Sequence, residues 1–511
     1  MTPRISLLVG WVADPEPLRR TVESALRQDC DSWEVLVLHT DAPALEEPSD
    51  AGPAPDERVR HLHLGAGTTS DAAVALEAGR TAAHGEMVGV LAAGDELEPG
   101  ALAAALMVLD ADPALDLVYT DEQWPAPGAE GIATKPDWSP HYLQSYPYLG
   151  RLCLVRASVL ERAGGFRPGF EGAEEWDLAL RVAELTDRIG HVPAVAISRP
   201  VPPRHDRVAV ESGLRAARGV LERAGREGAV EETSEPRGVR LWWSVEPRPL
   251  VSLIVPTAGG RRTVRGEDSL LVERCLQSVL ERTTYDAWEV VLVTSPQIPD
   301  DVVPRLTELL GDRLRVAPVE GPFNFSASVN EGARLAEGEL LLLLNDDTEV
   351  IEPRWLERMV SVCQGPGVGV VGARLLFEND TIQHVGVIFD DGMSPIHALG
   401  SEVRDNGRFG SKVLDLDYPA VTGACLLTPA EVFVEVGGFC IDLPLNFNDI
   451  DYCFKVAATG RGVVSAGFAE LYHYESSTRG HATEPAEFDF LDRHWGVRRT
   501  LDQHVHYRHV L

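Results

Sequence analysis

Two adjacent carboxylates follow a fully apolar run in LLLLLNDDTEV, residues 340–350, where five leucines lead to Asn345, Asp346 and Asp347. Carboxylates that share the end of a buried strand lose hydration and repel each other, so they usually bind a cation. Oxygen ligands of this kind suit Mg²⁺ or Mn²⁺ that is shared with substrate phosphates. The alternative is an exposed turn in which Thr348 caps the helix predicted to follow.

A second pair of acids precedes an apolar helical run in NFNDIDYCFK, residues 446–455. An aspartate at this point can take a proton from a hydroxyl group, or it can cap the helix. Because the spacing allows one residue for each role, we assign Asp449 as the base and Asp451 as its support.

A histidine and an arginine follow a short predicted strand in AELYHYESSTRGH, residues 469–481. An isolated histidine is usually a packing residue. Beside a cation that carries a diphosphate, however, the imidazole of His473 can complete the metal shell. There the guanidinium of Arg479 can also bind phosphate oxygens with two parallel hydrogen bonds.

Two other enzyme signatures are absent from the chain, and a third stands in the wrong structural context. The chain contains no G-x-x-x-x-G-K-[ST], which excludes a P-loop enzyme, and no G-x-S-x-G, which removes the nucleophile elbow of a serine hydrolase. A G-x-G-x-x-G occurs in GVGVVGARLLF, residues 367–377. It follows a helical pattern and enters a strand, the reverse of the order in a dinucleotide-binding fold.

The elements that must position these residues occur twice along the chain. Each copy begins strand–helix–strand, with short continuous β-branched runs typical of a parallel sheet buried on both faces. The matching blocks are 5–38 with 252–293, 88–99 with 340–350, and 159–182 with 432–456. Three blocks in one order predict an α/β protein with two copies of one domain.

Prolines and glycines suggest where the copies divide. We predict a first domain over 1–200, a helical and strand linker over 201–248 that packs on the first domain, and a second domain over 249–511. At the position of the second copy's acids, the first copy has Ala92, Ala93 and Gly94.

The overall composition excludes some partners. With 46 basic and 79 acidic residues the net charge is -33, whereas non-specific nucleic-acid binding needs clustered Lys and Arg. No stretch of about 18 apolar residues predicts a transmembrane helix, and the N-terminus has no signal-peptide pattern. Seven scattered cysteines without C-x-x-C indicate reduced thiols. We expect a cytoplasmic protein, and the His- and Arg-rich tail, 493–511, leaves a peripheral membrane contact open.

Six motifs together resemble a known family. They are GPFNFSASVNEGARLAEGELLLLLNDDTEVIEPRWL, DTIQHVGVIF, AVTGACLL, EVFVEVGGF, NFNDIDYCFK and AELYHYESSTRG. This combination resembles family 2 glycosyltransferases of the GT-A fold. More narrowly, it resembles bacterial tandem-domain enzymes of O-antigen and other surface polysaccharides, which include rhamnosyl- and related transferases. The resemblance covers 250–480 and extends in weaker form over 5–200.

The resemblance implies an inverting, metal-dependent transfer of a sugar from a nucleoside diphosphate to an acceptor hydroxyl. It implies two GT-A-like domains, each with a Rossmann-like, mostly parallel sheet. The implied ligands of Mn²⁺ or Mg²⁺ are Asp346, Asp347 and His473, and the implied base is Asp449 with Asp451 beside it. The implied donor-binding residues are Asn324, Ser326, Asn330, Asn345, Asp346 and Arg479.

Family habit also implies the partners. The donor would be a UDP-, dTDP- or GDP-linked sugar. The acceptor would be a glycan, which family habit makes lipid-linked, and the transfer would take place at the inner face of the membrane during synthesis of a surface polysaccharide or glycoconjugate.

The chain departs from the family pattern at two places. The second strand of the second copy ends on Val293, Thr294 and Ser295 instead of the aspartate that reads the nucleobase. The first copy lacks carboxylates at 92–94, so we expect it to be a degenerate domain kept for packing or acceptor binding. The alternative function is a catalytically silent carbohydrate-binding or scaffold protein in which both copies have decayed.

Overall fold

The structure is a computed structural model. It describes residues 2–10, 14–39, 56–64, 71–125, 131–200, 206–233, 238–389, 395–397, 407–474 and 485–499. The chain forms two compact units, the first from 1–225 with 230–241 and the second from 226–229 with 242–511. All seven cysteines are unpaired thiols, as predicted. Within the described ranges, no helix has the length and apolar character needed to span a bilayer.

The first unit combines strands and helices in alternation. Its strands, together with β10 and β11, whose residues are divided between the two units, are β1 (Ile5–Gly10), β2 (Trp33–His39), β3 (Val59–His63), β4 (Met87–Leu91), β5 (Glu96–Leu97), β6 (Leu117–Gln123), β7 (Ile132–Ala133), β8 (Leu154–Arg156), β9 (Ile189–Ser198), β10 (Gly228–Glu232) and β11 (Val239–Trp243). Its helices are α1 (Pro15–Leu26), α2 (Ala72–Ala82), α3 (Ala101–Ala111), α4 (Pro140–Ser145), α5 (Ala157–Arg162), α6 (Glu174–Ala183) and α7 (Arg207–Arg223).

The second unit alternates in the same way. Its strands are β12 (Val251–Thr257), β13 (Arg261–Val264), β14 (Glu267–Leu270), β15 (Trp288–Thr294), β16 (Leu314–Pro318), β17 (Leu340–Leu344), β18 (Thr348–Val350), β19 (Val368–Leu376), β20 (Ile382–His384), β21 (Val387–Phe389), β22 (Pro395–His397), β23 (Leu416–Asp417), β24 (Cys425–Pro429) and β25 (Gly462–His473). Its helices are α8 (Leu271–Arg282), α9 (Val302–Leu310), α10 (Phe325–Leu335), α11 (Trp355–Cys363), α12 (Ala430–Glu435), α13 (Asn448–Ala458) and α14 (Pro485–Arg499).

The large sheets of the two units have the same topology. The strand order is β3-β2-β1-β4-β8-β6-β9-β5 in the first and β16-β15-β12-β17-β24-β19-β25-β18 in the second. Along each path the first three pairs are parallel, the next two antiparallel, the next parallel and the last antiparallel. The predicted fold class, an α/β protein with two sheet-containing domains, is confirmed.

The five leucines of β17 are buried because helices cover both faces of the sheet. Side chains alternate along a strand, so Leu340, Leu342 and Leu344 join one hydrophobic cluster with residues of α8 and α11. Leu341 and Leu343 join the other cluster, with residues of α10 and α13. The strand is therefore apolar throughout and leaves the core only at its carboxyl end, where the two aspartates follow.

The predicted linker contributes α7 to the first unit. This helix packs on α6, and the closeness explains Gly213: a Cβ at that position would lie 2.5 Å from the ring of Trp176. Residues 242–248 instead belong to the second unit. The structure thus divides the segment between the units, whereas the sequence pattern treats it as one piece.

Candidate active site

The turn after β17 lies beside the end of β25. β18 pairs antiparallel with β25 so that Thr348 is opposite His473, and the Tyr474 amide donates to the Asp347 carbonyl at 2.9 Å. In this arrangement His473 Nε2 is 3.2 Å from Asp347 Oδ1 and 3.4 Å from Asn345 Nδ2. The structure therefore brings together three of the residues singled out in the sequence.

The capping alternative for Thr348 is wrong. Thr348 belongs to β18, and its hydroxyl donates to the Asn345 carbonyl at 3.0 Å. The next helix, α11, starts seven residues later at Trp355, with Arg354 at its N-cap. The hydroxyl therefore closes the turn that carries the aspartates.

Gln383 orients the imidazole of His473. The Gln383 side chain donates from Nε2 to the His473 carbonyl at 3.3 Å, so its Oε1 is the atom that lies 2.7 Å from His473 Nδ1. A carbonyl oxygen only accepts, so Nδ1 carries the hydrogen and a neutral ring has its lone pair at Nε2, toward Asp347. A carboxylate oxygen and an imidazole lone pair 3.2 Å apart require a cation or a proton between them.

Asp346 is hydrogen-bonded to the end of the neighbouring strand. Its Oδ2 accepts from the Thr257 hydroxyl at 2.6 Å, and that hydroxyl accepts from the Gly259 amide at 3.0 Å. Because β12 and β17 are parallel neighbours, their carboxyl ends lie at one edge of the sheet. In open α/β sheets this edge is where ligands bind.

Asp449 lies at the N-terminal end of α13 and is held by two backbone amides. Its Oδ1 accepts from the Ile450 amide and its Oδ2 from the Gly423 amide, both at 2.9 Å. The residue after Gly423 is connected to the aspartate turn, since the Ala424 carbonyl accepts from the Asn345 amide at 2.9 Å. The half-buried carboxylate of Asp449 is thereby fixed near the same sheet edge.

Asp451 is buried and bound within the helical layer. Its Oδ1 accepts from the Trp495 indole at 2.8 Å, and its Oδ2 lies 2.7 Å from the ammonium of Lys455. The bond from Trp495 holds α13 against α14, whereas Lys455 lies one turn further along α13 itself. A supporting role for Asp451 stays a prediction.

The three predicted donor-side residues of α10 are bound to backbone. Asn324 Nδ2 donates to the Ile441 carbonyl at 2.8 Å, and the Ser326 hydroxyl donates to the Leu443 carbonyl at 2.6 Å. Asn330 both donates to the carbonyl and accepts from the amide of Phe439. These bonds tether α10 to the segment before α13. Contact of these three residues with a donor stays a prediction.

Two further predictions concern Arg479, a candidate donor-binding residue, and Thr294, which stands where the family pattern has an aspartate. Arg479 lies outside the described residues, as does the tail after residue 499. Thr294, at the tip of β15, is buried, and its carbonyl accepts from the Val319 amide at 3.0 Å. The tip of β15 thus offers a threonine where the family pattern has an aspartate.

Sequence reasoning missed the role of the Gln383–His384 pair. His384 is buried, accepts from the Thr422 amide at Nε2 (3.1 Å) and lies 2.7 Å from His397. Burial, with smaller contributions from His397 and His473, holds the pKa of His384 well below its usual value. Neutral His384 therefore holds the amide of Thr422 in place, and the amide of the next residue, Gly423, donates to Asp449. Two consecutive polar residues inside an apolar run were the available signal.

A buried glutamate fixes β18 beneath the site. Glu349 accepts from Arg274 at 2.7 Å and from the Tyr474 hydroxyl at 2.5 Å. Burial alone would raise the pKa of Glu349, but the hydrogen bonds from Tyr474 and Arg274 bring it below its usual value. The charged carboxylate links α8, β18 and the end of β25, which stabilises the approach of Asp347 to His473.

Strand registers identify the equivalent positions in the first unit. Met87 and Leu340 occupy the same register position, so residues 92–94 correspond to 345–347. Glu96 pairs with Ser198 as Glu349 pairs with Tyr472, which makes Arg199 the counterpart of His473. An arginine has no lone pair for a metal.

The neighbouring carboxylates and helices of the first unit follow the same correspondence. Asp95 is buried, accepts from the Ala92 amide at 2.8 Å and lies 3.5 Å from Arg151 Nε. Arg151 also forms an ion pair with Glu175, which lies two residues before Asp177 as Asp449 lies two before Asp451. The metal-ligand types are therefore replaced by an internal charge network.

The described residues contain no group of three or more His, Cys, Asp or Glu side chains arranged to hold a metal ion. Asp347 nevertheless supplies a carboxylate oxygen of the type that Mn²⁺ and Mg²⁺ sites use, and His473 supplies an imidazole nitrogen, which suits a transition metal such as Mn²⁺ better than Mg²⁺. Such cations commonly take one or two protein carboxylates and complete their shell with substrate phosphates and water. The pair fits an incomplete protein shell of this kind.

Residues 263–435 match the profile described as "Glycosyl transferase family 2". An uncharacterized protein, y4gI of Sinorhizobium fredii (strain NBRC 101917 / NGR234), is 35% identical over 531 residues, covering 98% of this chain and 57% of y4gI. The O-antigen biosynthesis protein RfbC of Myxococcus xanthus is 34% identical over 485 residues, covering 90% of this chain and 36% of RfbC. The chain thus spans only part of the length of both relatives.

Among solved structures, the crystal structure of GalNAc-T7 with UDP, GalNAc and Mn²⁺ aligns with 53% of this chain and 52% of its own. The identity is 15% and the TM-score 0.41. This similarity is too distant to indicate a ligand or a reaction for the present chain.

Proposed function

We propose that the second unit, in which residues 263–435 match the glycosyl transferase family 2 profile, transfers a sugar from a nucleoside diphosphate to an acceptor hydroxyl with inversion. The observation that carries the proposal is the pairing of Asp347 with His473 at the carboxyl edge of the sheet. Asp449 lies near the same edge and supplies a candidate base.

Asp347 and His473 would hold a divalent cation, with Asp346 next to them. When bound, the cation supplies positive charge against the departing diphosphate. Gln383 keeps Nε2 of His473 available by accepting the hydrogen of Nδ1. The bond from Thr257 fixes Asp346 on the side of β12.

The base in this proposal is the carboxylate of Asp449. It takes the proton of the acceptor hydroxyl while the acceptor oxygen attacks the anomeric carbon and the bond to the diphosphate breaks. The two amides that bind Asp449 keep the carboxylate in place before an acceptor arrives, so little reorganisation is needed. Asp451 contributes by anchoring α13 to α14 through Trp495.

The proposed donors are UDP-, dTDP- and GDP-linked sugars, and the proposed acceptor is a glycan, lipid-linked or free. The relative that is named an O-antigen biosynthesis protein supports a role in polysaccharide or glycoconjugate synthesis. On this proposal the protein works in the cytoplasm and meets lipid-linked acceptors at the inner face of the membrane.

The test is calorimetric titration of the full chain with the three donor classes, with and without Mn²⁺. We expect metal-dependent binding of one class, and loss of that binding in Asp347→Ala. The matched control is Ala93→Ser, since residue 93 has the position of Asp346 in the first unit. Absence of binding by every donor to the folded protein would contradict the proposal and favour a silent scaffold, with Thr294 as the first residue to restore to aspartate.

A further inference from the structure

The first unit contains a cavity of about 330 Å³ among its described residues. The segment 143–153, the start of α6, α7 and the β10–β11 hairpin contribute its walls. Polar groups at the cavity include Arg151, Glu174, Glu175 and Arg199. The volume lies at the lower end of the range of about 300–1,000 Å³ for small-molecule sites.

The cavity occupies the position that the candidate active site has in the second unit. Gly150 is the register counterpart of Gly423, and Glu175 is the counterpart of Asp449. Arg199 has the position of His473. The first unit has therefore lost the metal-ligand residues and still has a cavity at the equivalent place.

The charges at the cavity disfavour both a metal ion and a diphosphate. Arg151 is ion-paired with Glu175 and lies 3.5 Å from Asp95, and Arg199 Nη1 is 3.0 Å from Glu122 Oε1. The two guanidinium groups and the carboxylates of Glu175, Asp95 and Glu122 are engaged with each other, so neither the acids nor the arginines are free to bind a metal ion or a diphosphate. These ion pairs favour an uncharged ligand.

The chemistry of the walls favours a saccharide among uncharged ligands. Guanidinium and carboxylate groups are planar donors and acceptors that match pairs of hydroxyl groups. The half-buried side chains of Pro147 and Val210 supply apolar surface for the C–H face of a sugar ring. Trp176 adds aromatic surface, and its indole is fixed by donation to the Leu143 carbonyl at 2.7 Å.

We propose that the cavity of the first unit binds an uncharged monosaccharide or disaccharide without a divalent cation. The site is separate from the donor site proposed for the second unit, and its ligand contacts come from the first unit alone. The first unit would then be a sugar-binding module built on a transferase-like fold.

The experiment uses saturation-transfer difference NMR on the full chain in EDTA. The probes are millimolar glucose, galactose, mannose, rhamnose, N-acetylglucosamine and N-acetylgalactosamine, with maltose and lactose as disaccharides. We expect transfer to at least one probe and loss of that transfer in Val210→Trp, because Val210 lines the cavity on α7. The matched control is Val208→Trp, since Val208 is 53% exposed on the same helix.

A second variant protects the test against a folding failure of the first. Glu174→Gln keeps the size of the side chain and removes a charged acceptor, so it should weaken binding about tenfold. Asp347→Ala should leave the saccharide signal unchanged, which separates this site from donor binding.

Three results would overturn the proposal. They are no transfer to any probe, transfer that survives Val210→Trp in a folded protein, and transfer that EDTA or Asp347→Ala abolishes. The last result would assign the saccharide to the second unit.

Discussion

The two units present the same edge of the same sheet with opposite chemistry. In the second unit residues 345–347 bring carboxylates to His473, whereas in the first unit residues 92–94 carry no acid and Arg199 replaces the histidine. The guanidinium group of Arg199 thus lies where the second unit has the imidazole of its candidate cation site. The comparison shows that a shared topology fixes where a site forms, and a few side chains decide what it can bind.

The support beneath each edge differs as well. The side chain of Glu349 is 3% exposed and accepts from Arg274 at 2.7 Å, while its counterpart Glu96 is 41% exposed and lies 3.6 Å from Arg20. A buried, hydrogen-bonded carboxylate fixes β18 more firmly than an exposed ion pair fixes β5. The contacts therefore fix the edge of the second unit more firmly, which suits the reaction centre that we propose there.

The largest expected effect on activity comes from the proposed base. Asp449→Asn should lower kcat about 10²–10⁴-fold, because the amide cannot take the acceptor proton, while donor binding persists. Transfer kinetics and donor calorimetry on the same preparations measure the two effects. Asp442→Asn is the control, since Asp442 is exposed in the preceding segment. Unchanged kcat in Asp449→Asn would remove Asp449 from the reaction.

The two units should also differ in how much stability the aspartates of α6 and α13 contribute. Asp177 contacts a buried Arg181 in the first unit, and Asp451 contacts a half-exposed Lys455 in the second. Asp177→Asn should therefore cost about 3–5 kcal/mol of unfolding free energy, and Asp451→Asn less. Denaturant titration followed by hydrogen exchange within each unit measures both. The reverse ranking would show that burial of the cation does not govern these pairs.

Gln383 should tune the metal affinity of the second unit. Gln383→Leu removes the acceptor for His473 Nδ1, so Mn²⁺ with donor should bind about 10–100-fold more weakly. Gln383→Glu keeps an acceptor and should rescue most of the loss. Calorimetric Kd values for Mn²⁺ provide the readout. Equal affinities in all three proteins would mean that the ring needs no partner at Nδ1.

The smallest effect is an opposite response of the two units to acid. Burial lowers the pKa of His384 far below its usual value, so only the unfolded state gains this proton below about pH 6.5, and stability falls by about 1.4 kcal/mol per pH unit. Burial opposes protonation of His191 too, but hydrogen bonds to Asp121 and Asp137 raise its pKa, so its contribution is present in acid and lost as pH rises.

Two variants measure these contributions. In His384→Asn, the free energy of unfolding should fall less between pH 7 and about pH 5.5 than it does in the wild type. His191→Asn should remove a stabilisation that operates in the same range. Denaturant titrations at each pH give the free energies. Identical pH profiles for wild type and His384→Asn would show that His384 has the same pKa in the folded and the unfolded protein.

Local patterns in the sequence predict much of this architecture. The five leucines before Asn345 predict a strand buried on both faces, and the repeated blocks predict two α/β units. Contacts between residues that are far apart in the sequence could not be predicted from these patterns. The role of Gln383 depends on the end of β25, and Arg199 becomes the counterpart of His473 only through the register of β5 with β9. The tethering of Asn324 to the Ile441 carbonyl is likewise a tertiary contact.

The stoichiometry of nucleotide binding in the presence of Mn²⁺ tests the central claim most directly. Titration of the full chain with the nucleoside diphosphate of the preferred donor, read by calorimetry and by the electron paramagnetic resonance of bound Mn²⁺, counts the sites. We expect one metal–nucleotide site per chain, and none in Asp347→Ala. Two sites per chain, or one site that survives Asp347→Ala in the folded protein, would contradict it.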